Sequence, residues 1–210
     1  LAQALQQNIG AAATAGHDPD RRYIDALAVA AVLKKACPCV LDGGLLESLV
    51  TGALKCQLAD DRTFVRLAGL KGARHLMSHQ LTFSLPSSFS GLAAGITRLV
   101  ADESSEVRAA ALSVVKKIAK YDPSLTSPHL QTLGPAVIEA LNDKNGTVKV
   151  QAERAVRFLL SLGTDFEACG AFLKTPEGNK MRPRLTDMMQ KRLSRLPEDS
   201  GGSDQSDDEK

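Results

Sequence analysis

Two histidines, His75 and His79, stand four residues apart, a spacing that places both imidazoles on one helix face and can hold zinc. The hydrolytic form of that pair needs glutamate directly after the first histidine, but Leu76 stands there and no further His or acid at suitable spacing completes a ligand set. Cys37-Pro-Cys39 offers two thiols for metal or redox chemistry, with one residue between them where the redox motif has two, so core or loop cysteines are the simpler reading. Gly69-Leu-Lys-Gly72 matches the short loop that clamps a nucleic-acid backbone, yet it falls inside a helical pattern, where two glycines serve close helix packing. Asn145-Gly-Thr147 is a glycosylation acceptor only in a secreted chain. The phosphate-binding glycine loops and the serine-nucleophile elbow are absent from the sequence. No residue is therefore assigned to catalysis, to a cofactor or to a metal, and the chain is expected not to be an enzyme.

The charges with chemical potential are basic. Lys116, Lys117 and Lys120 close one helical stretch, Lys144, Lys149, Arg154 and Arg157 fall in the next, and Lys180, Arg182, Arg184, Lys191, Arg192 and Arg195 crowd the last. Such a surface attracts phosphate backbones such as ribosomal RNA, with an affinity that falls steeply with salt. The alternative is a solvated face whose cations complement helix C-termini. The net charge of +2 conceals this: residues 197–210 carry six acids and one base, and without them 25 bases face 18 acids. That acidic segment could fold back on the basic surface as a screen, and phosphorylation of Ser206, beside Asp207, Asp208 and Glu209, would deepen its charge.

The elements that must position these charges follow from composition and period. Of the 210 residues 43% are hydrophobic and only 4% aromatic, with no Trp, so the core is built from Ala, Leu, Val and Ile and is expected to be helical. The longest apolar run, Ala26 to Leu33, is far short of the roughly 20 residues a membrane span needs. Four cysteines without framework spacing fit a reducing, cytoplasmic setting. The chain opens on Leu1 and shows no secretory signal, as expected for a piece of a longer protein.

Asp18, Asp60, Asp102 and Asp143 recur at intervals of 42, 42 and 41 residues, each followed five positions on by Tyr23, Val65, Val107 or Val148. The next position is basic in Arg66, Arg108 and Lys149, and Ile24 departs from the pattern. From each apolar residue, offsets of four, eight and eleven give Leu27, Gly69, Ala111 and Ala152, then Ala31, Ala73, Val115 and Val156, then Lys34, Leu76, Ile118 and Leu159, which is helical spacing. A preceding helix is marked by Val50, Leu54 and Leu58, by Leu92, Ile96 and Val100, and by Leu133, Val137 and Leu141. Each block is thus a helical hairpin whose apolar faces are hidden only by stacking on a neighbour. The expected fold is all-α, an α-solenoid with units near 1–37, 42–79, 86–121 and 128–163, a C-terminal helical cap over 164–196 and a disordered acidic tail over 197–210.

A two-helix repeat of this length, with Asp in the turn and a hydrophobic-basic pair after it, resembles a HEAT repeat. Pro135, eight residues before Asp143, matches the kink proline of its first helix, where the other blocks have Gly52 and Ala94. The resemblance implies a structural ladder between successive repeats from Asp60, Asp102 and Asp143 with Arg66, Arg108 and Lys149. Lys149 cannot make the bidentate contact of an arginine, which weakens the last rung. The stretches Gly69 to His79, Ser104 to Arg108 and Asp143 to Leu160 are similar to the C-terminal end of one family in particular. This is the very large HEAT-repeat translational activator of the general control kinase, which phosphorylates the alpha subunit of initiation factor 2 in amino-acid starvation.

That resemblance implies a non-enzymatic, cytoplasmic scaffold that regulates translation, with the ribosome or its RNA as possible contact and the kinase reached through the parent protein. It implies no cofactor, membrane partner or small-molecule substrate, and no kinase-binding residue transfers to this stretch. The candidate interaction surface is Lys116, Lys117, Lys120, Arg154, Arg157, Arg182, Arg184, Lys191, Arg192 and Arg195. A generic protein-binding adaptor of the transport-receptor or phosphatase-scaffold type is the alternative, and a metal-dependent enzyme on a helical-repeat body the third reading.

Overall fold

A computed structural model describes residues 18–35, 43–78, 86–121 and 133–161, together with five exposed single residues between 179 and 190 in helical conformation. The continuous described segments hold seven helices, in order α1 (Pro19–Lys35), α2 (43–58), α3 (Thr63–Ser78), α4 (Pro86–Val100), α5 (Ser105–Tyr121), α6 (133–142) and α7 (Gly146–Ser161). The expected cap and acidic tail lie outside the described residues apart from those five, as do Cys37, Cys39, His79 and Cys169. No strand occurs among the described residues, and no helix there is long and apolar enough to cross a membrane.

The helices form two layers. α1, α3, α5 and α7 stack side by side in chain order, and α2 packs on α3 and α4 on α5 from the other side, with α2 also touching α4. The marker trios of the first helices, from Val50 through Leu141, are all buried, and one continuous apolar core runs from Val29 to Leu159. Solenoid stacking explains that continuity, because each helix hides its apolar stripe against the next hairpin.

The second helices obey the offsets in three blocks and break them in the first. Gly69, Ala111 and Ala152, then Ala73, Val115 and Val156, then Leu76, Ile118 and Leu159 are buried. In α1 the corresponding Leu27, Ala31 and Lys34 are exposed, and Ala26, Val29, Ala30 and Leu33 are buried instead. A lysine at the position taken elsewhere by Leu76, Ile118 and Leu159 cannot be buried without a partner, so the helix turns another face inward. Tyr23 meets Phe64 of α3 edge to face, with ring centroids 5.1 Å apart.

α2 is not a uniform helix. Its α-helical ends, Gly43–Ser48 and Lys55–Leu58, flank a π-helical stretch, Leu49–Leu54, which contains Gly52 at the kink-proline position. The Thr51 hydroxyl donates to the Glu47 carbonyl at 2.7 Å, a back-bond that bends helices.

Of the Gly69–Gly72 pair, Gly69 faces α2 and Gly72 the place where α2 meets α1. A Cβ at Gly69 would lie 2.9 Å from the Cβ of Gln57 and 3.4 Å from its carbonyl carbon, so α2 and α3 would have to separate. At Gly72 the nearest atom, 2.9 Å away, is the methyl end of Leu54, which can rotate aside. Gly69→Ala is therefore expected to destabilise the fold by about 1–2 kcal/mol, the overpacking cost outweighing the helix-propensity gain. Gly72→Ala should be neutral or stabilising by up to about 1 kcal/mol. Chemical denaturation of the two variants checks the contrast, and equal effects would refute the difference in packing.

Candidate interaction face and the ladder that positions it

Each turn aspartate has the same local job. Oδ1 of Asp60, Asp102 and Asp143 accepts the backbone N–H two residues on, from Arg62 at 2.9 Å, Ser104 at 2.9 Å and Asn145 at 2.8 Å. These Asx turns let the chain reverse in a few residues between the helices of a hairpin. In the fourth block Asn145 goes on to cap α7, its side-chain oxygen accepting the N–H of Thr147 at 2.9 Å. That structural task accounts for Asn145 in the glycosylation-like triplet.

The same carboxylates receive an arginine from the preceding block. Arg66 Nη2 donates to Asp102 Oδ1 at 3.0 Å, while its Nε stands 2.9 Å from Asp102 Oδ2, off the line of a hydrogen bond, so this fork is one bond plus one close ion contact. Arg108 makes the full fork, with Nε to Asp143 Oδ2 at 2.6 Å and Nη2 to Asp143 Oδ1 at 2.9 Å. Each arginine also staples its own turn. Arg66 Nη1 donates to the carbonyls of Asp60 and Asp61, and Arg108 Nη1 to those of Asp102 and Glu103. The ladder thus runs forward, from the arginine of one block to the aspartate of the next.

Two members were not legible in the pattern. Asp60 pairs with Arg22, whose Nη1 donates to Asp60 Oδ2 at 2.8 Å, with Nη2 3.2 Å from Asp61. Arg22 sits two positions before the expected site, which Ile24 occupies at 63% exposure; a search for arginine within one turn of that site would have found it. Arg98 at the end of α4 donates to the Leu58 carbonyl at the end of α2 at 2.8 Å, a second link between blocks on the other layer. Lys149, half-buried, acts on Asp143 through charge, and any partner in a following block lies outside the described residues.

Burial and charge divide the rungs. The Arg108 guanidinium holds the Asp143 carboxyl below its ordinary value, against the opposing effect of burial, and Asp143 in turn raises Arg108. Asp60 is pushed up, chiefly by burial and also by the neighbouring Asp61 carboxyl.

The basic residues occupy the other half of the second helices. Lys120, Arg154 and Arg157 are exposed, and Lys116 and Lys117 are half-buried. The Lys116 ammonium lies 5.6 Å from the centre of the Phe158 ring, tying α5 to α7. Arg182, Arg184, Lys191, Arg192 and Arg195 lie outside the described residues. Two further cations belong with this face. Lys71, exposed, is eleven residues after Asp60 as Arg154 is after Asp143, and Arg74, half-buried, is fourteen after it, as Lys116 and Arg157 are after their aspartates. Counting offsets from the aspartates would have revealed both. Among the described residues no three His, Cys, Asp or Glu side chains gather as a metal site. His75 is half-buried on α3 and Cys56 carries an exposed free thiol.

Arg66 is 6% exposed, and its removal would leave the Asp102 carboxylate with only the Ser104 N–H and take the donor from two turn carbonyls. Arg66→Ala should cost about 3 kcal/mol, whereas Lys149→Ala should stay within about 1 kcal/mol, as measured by equilibrium unfolding. The pH dependence has opposite signs at two rungs. With its folded value lowered, Asp143 contributes stability that is present above about pH 4 and lost as pH falls through that lowered value. Asp60, raised, takes up its proton before the unfolded chain does and so contributes in the reverse sense on acidification. Carboxyl NMR titration should place Asp143 below and Asp60 above the ordinary aspartate value, and coincident titrations would contradict this account.

Comparison with known proteins agrees with the repeat. A family model described as GCN1-like, C-terminal HEAT repeats matches residues 22–174. Protein ILITYHIA of Arabidopsis thaliana is 30% identical over 190 residues, covering 89% of this chain, which spans only 7% of the length of that relative. Among solved structures, computationally designed armadillo repeat proteins for modular peptide recognition superpose with a TM-score of 0.62 at 14% identity, over 93% of this chain and 92% of theirs. A designed armadillo repeat protein in complex with the peptide (KR)4 gives 0.60 at 15% identity, over 89% of this chain and 82% of its own. At such identities the likeness establishes the solenoid fold alone. Period, ladder and family match converge: this chain belongs to the GCN1-like family, in the part formed by its C-terminal HEAT repeats.

Proposed function

We propose that this chain is a scaffold arm of a ribosome-associated activator of the starvation-responsive kinase of initiation factor 2 alpha, working in the cytoplasm by holding partners in place and not by chemistry of its own. The family match over residues 22–174 carries this reading. The arginine rungs support it physically, because charge-assisted bonds between successive blocks keep the second helices in register and so fix the spacing of the cations they display. A face of Lys and Arg suits the phosphate backbone of ribosomal RNA, and its contribution is geometric and electrostatic.

A second reading, a protein-binding adaptor without ribosome contact, is favoured by one observation. A cleft of about 380 Å³ opens beside the Arg108–Asp143 rung, lined by Val100, Ala101, Ala136, Glu139, Ala140 and Lys144 among others. Its small apolar floor with charged rims could seat side chains of a peptide.

Sedimentation of the chain with purified ribosomes at stepped salt separates the two. The reversal Lys120→Glu, Arg154→Glu and Arg157→Glu should weaken co-sedimentation and lower the slope of log affinity against log salt by up to about 3. Unchanged binding would exclude this face. The adaptor reading expects instead that Ala136→Phe, which fills the cleft, abolishes capture of a protein partner while ribosome co-sedimentation stays as it was.

A further inference from the structure

The cations of α3, α5 and α7 share register positions. At offsets 7, 11, 14, 15 and 18 from the turn aspartates, α3 carries Leu67, Lys71, Arg74, His75 and Ser78; α5 carries Ala109, Ser113, Lys116, Lys117 and Lys120; α7 carries Val150, Arg154, Arg157, Phe158 and Ser161. No acid stands at any of these positions. Since the three helices are adjacent in one layer, these residues form a single strip that crosses the helices. With neighbouring axes about 8–10 Å apart, the strip spans about 20 Å from α3 to α7.

We propose that this strip is a docking track for an extended acidic polypeptide, and that its resident occupant is the chain's own segment 198–210. Charge complementarity is the first argument. Segment 197–210 holds Glu198, Asp199, Asp204, Asp207, Asp208 and Glu209 against Lys210 alone, while the strip holds seven Lys and Arg and no acid. Dimension is the second: an extended chain advances about 3.3 Å per residue, so the acids of 204–209 cover the strip, and residues 162–197 are long enough to bring them there. Covalent attachment then gives the acids an effective concentration in the millimolar range, enough to hold a pairing that would be weak between separate molecules.

An RNA strand is a poorer resident for this strip. Single-stranded nucleic acid is held by aromatic platforms as well as cations. Phe158 is the only Phe, Tyr or Trp at the fifteen strip positions, and the Lys116 ammonium already lies over its ring. The docked segment would therefore compete with an external polyanion, making the strip available only to a partner that displaces it. Phosphorylation at Ser203 or Ser206 would tighten the docked state by adding charge to the acidic segment.

The test uses the full chain, with backbone amide NMR of Gly201, Gly202 and Ser203 as reporters and the synthetic peptide 197–210 as the free reference. The proposal expects tail signals displaced from the free-peptide positions. They should return to those positions in Lys71→Glu/Arg154→Glu/Arg157→Glu and at high salt, with the thermal midpoint of the variant unchanged. Neutralising the tail by Asp204→Asn, Asp207→Asn, Asp208→Asn and Glu209→Gln should strengthen binding of a short RNA duplex several-fold. Tail signals that coincide with the free peptide overturn the proposal, as does duplex binding indifferent to the tail charges. Displacements that grow with chain concentration assign the track to the tail of a second copy and overturn the intramolecular form. None of these readouts needs a ribosome, so the proposal and the ribosome reading can fail separately.

Discussion

The structure depends on a carboxylate with two obligations. In each turn one aspartate oxygen closes the chain reversal by accepting a backbone N–H, and the carboxylate also takes an arginine from the block before. The arginine is equally divided, with one nitrogen on the carbonyls of its own turn and the rest of the guanidinium on the next aspartate. Turn geometry and inter-block geometry are therefore set by the same few atoms. Apolar stacking supplies most of the favourable free energy of a solenoid, but it is tolerant of sliding, whereas a directional charge-assisted bond is not.

That constraint reaches the opposite half of the helices. Each second helix is one rigid rod, so fixing its N-terminal turn to its neighbour fixes the lateral alignment of residues three turns away. Lys71, Arg74, Lys116 and Arg157 fall into rows for this reason, and the Lys116–Phe158 contact reinforces the alignment between the last two rods. The rungs and the basic strip are separate in space and linked through helix rigidity. A surface of this kind recognises by the spacing of its charges, and spacing survives only as long as the blocks do not slip.

Much of this was legible in sequence because repetition multiplies weak signals. A lone aspartate means little, but four at intervals of 42, 42 and 41 residues identify the turns, and the apolar offsets from them located the buried faces of α3, α5 and α7. The pattern was least informative in the first block, where Ile24 and Lys34 replace residues that elsewhere define the inward face, and Arg22 reaches Asp60 from a different position. A side chain as long as arginine can serve one acceptor from more than one backbone site, so position alone does not determine its partner. The π-helical stretch around Gly52 was likewise hidden, because the sequence marks a place where the helix is free to deform without saying how. Lys71 and Arg74 are isolated charges in the sequence and acquire meaning only from their register with the neighbouring helices.

Register between blocks requires that the arginine of one block and the aspartate of the next be energetically coupled. A double-mutant cycle on Arg66→Ala and Asp102→Ala, read by equilibrium unfolding, measures that coupling directly. The interaction energy expected for this largely buried pair is about 2 kcal/mol or more. Additivity within about 0.5 kcal/mol would contradict it and would leave apolar stacking alone to hold the blocks in register.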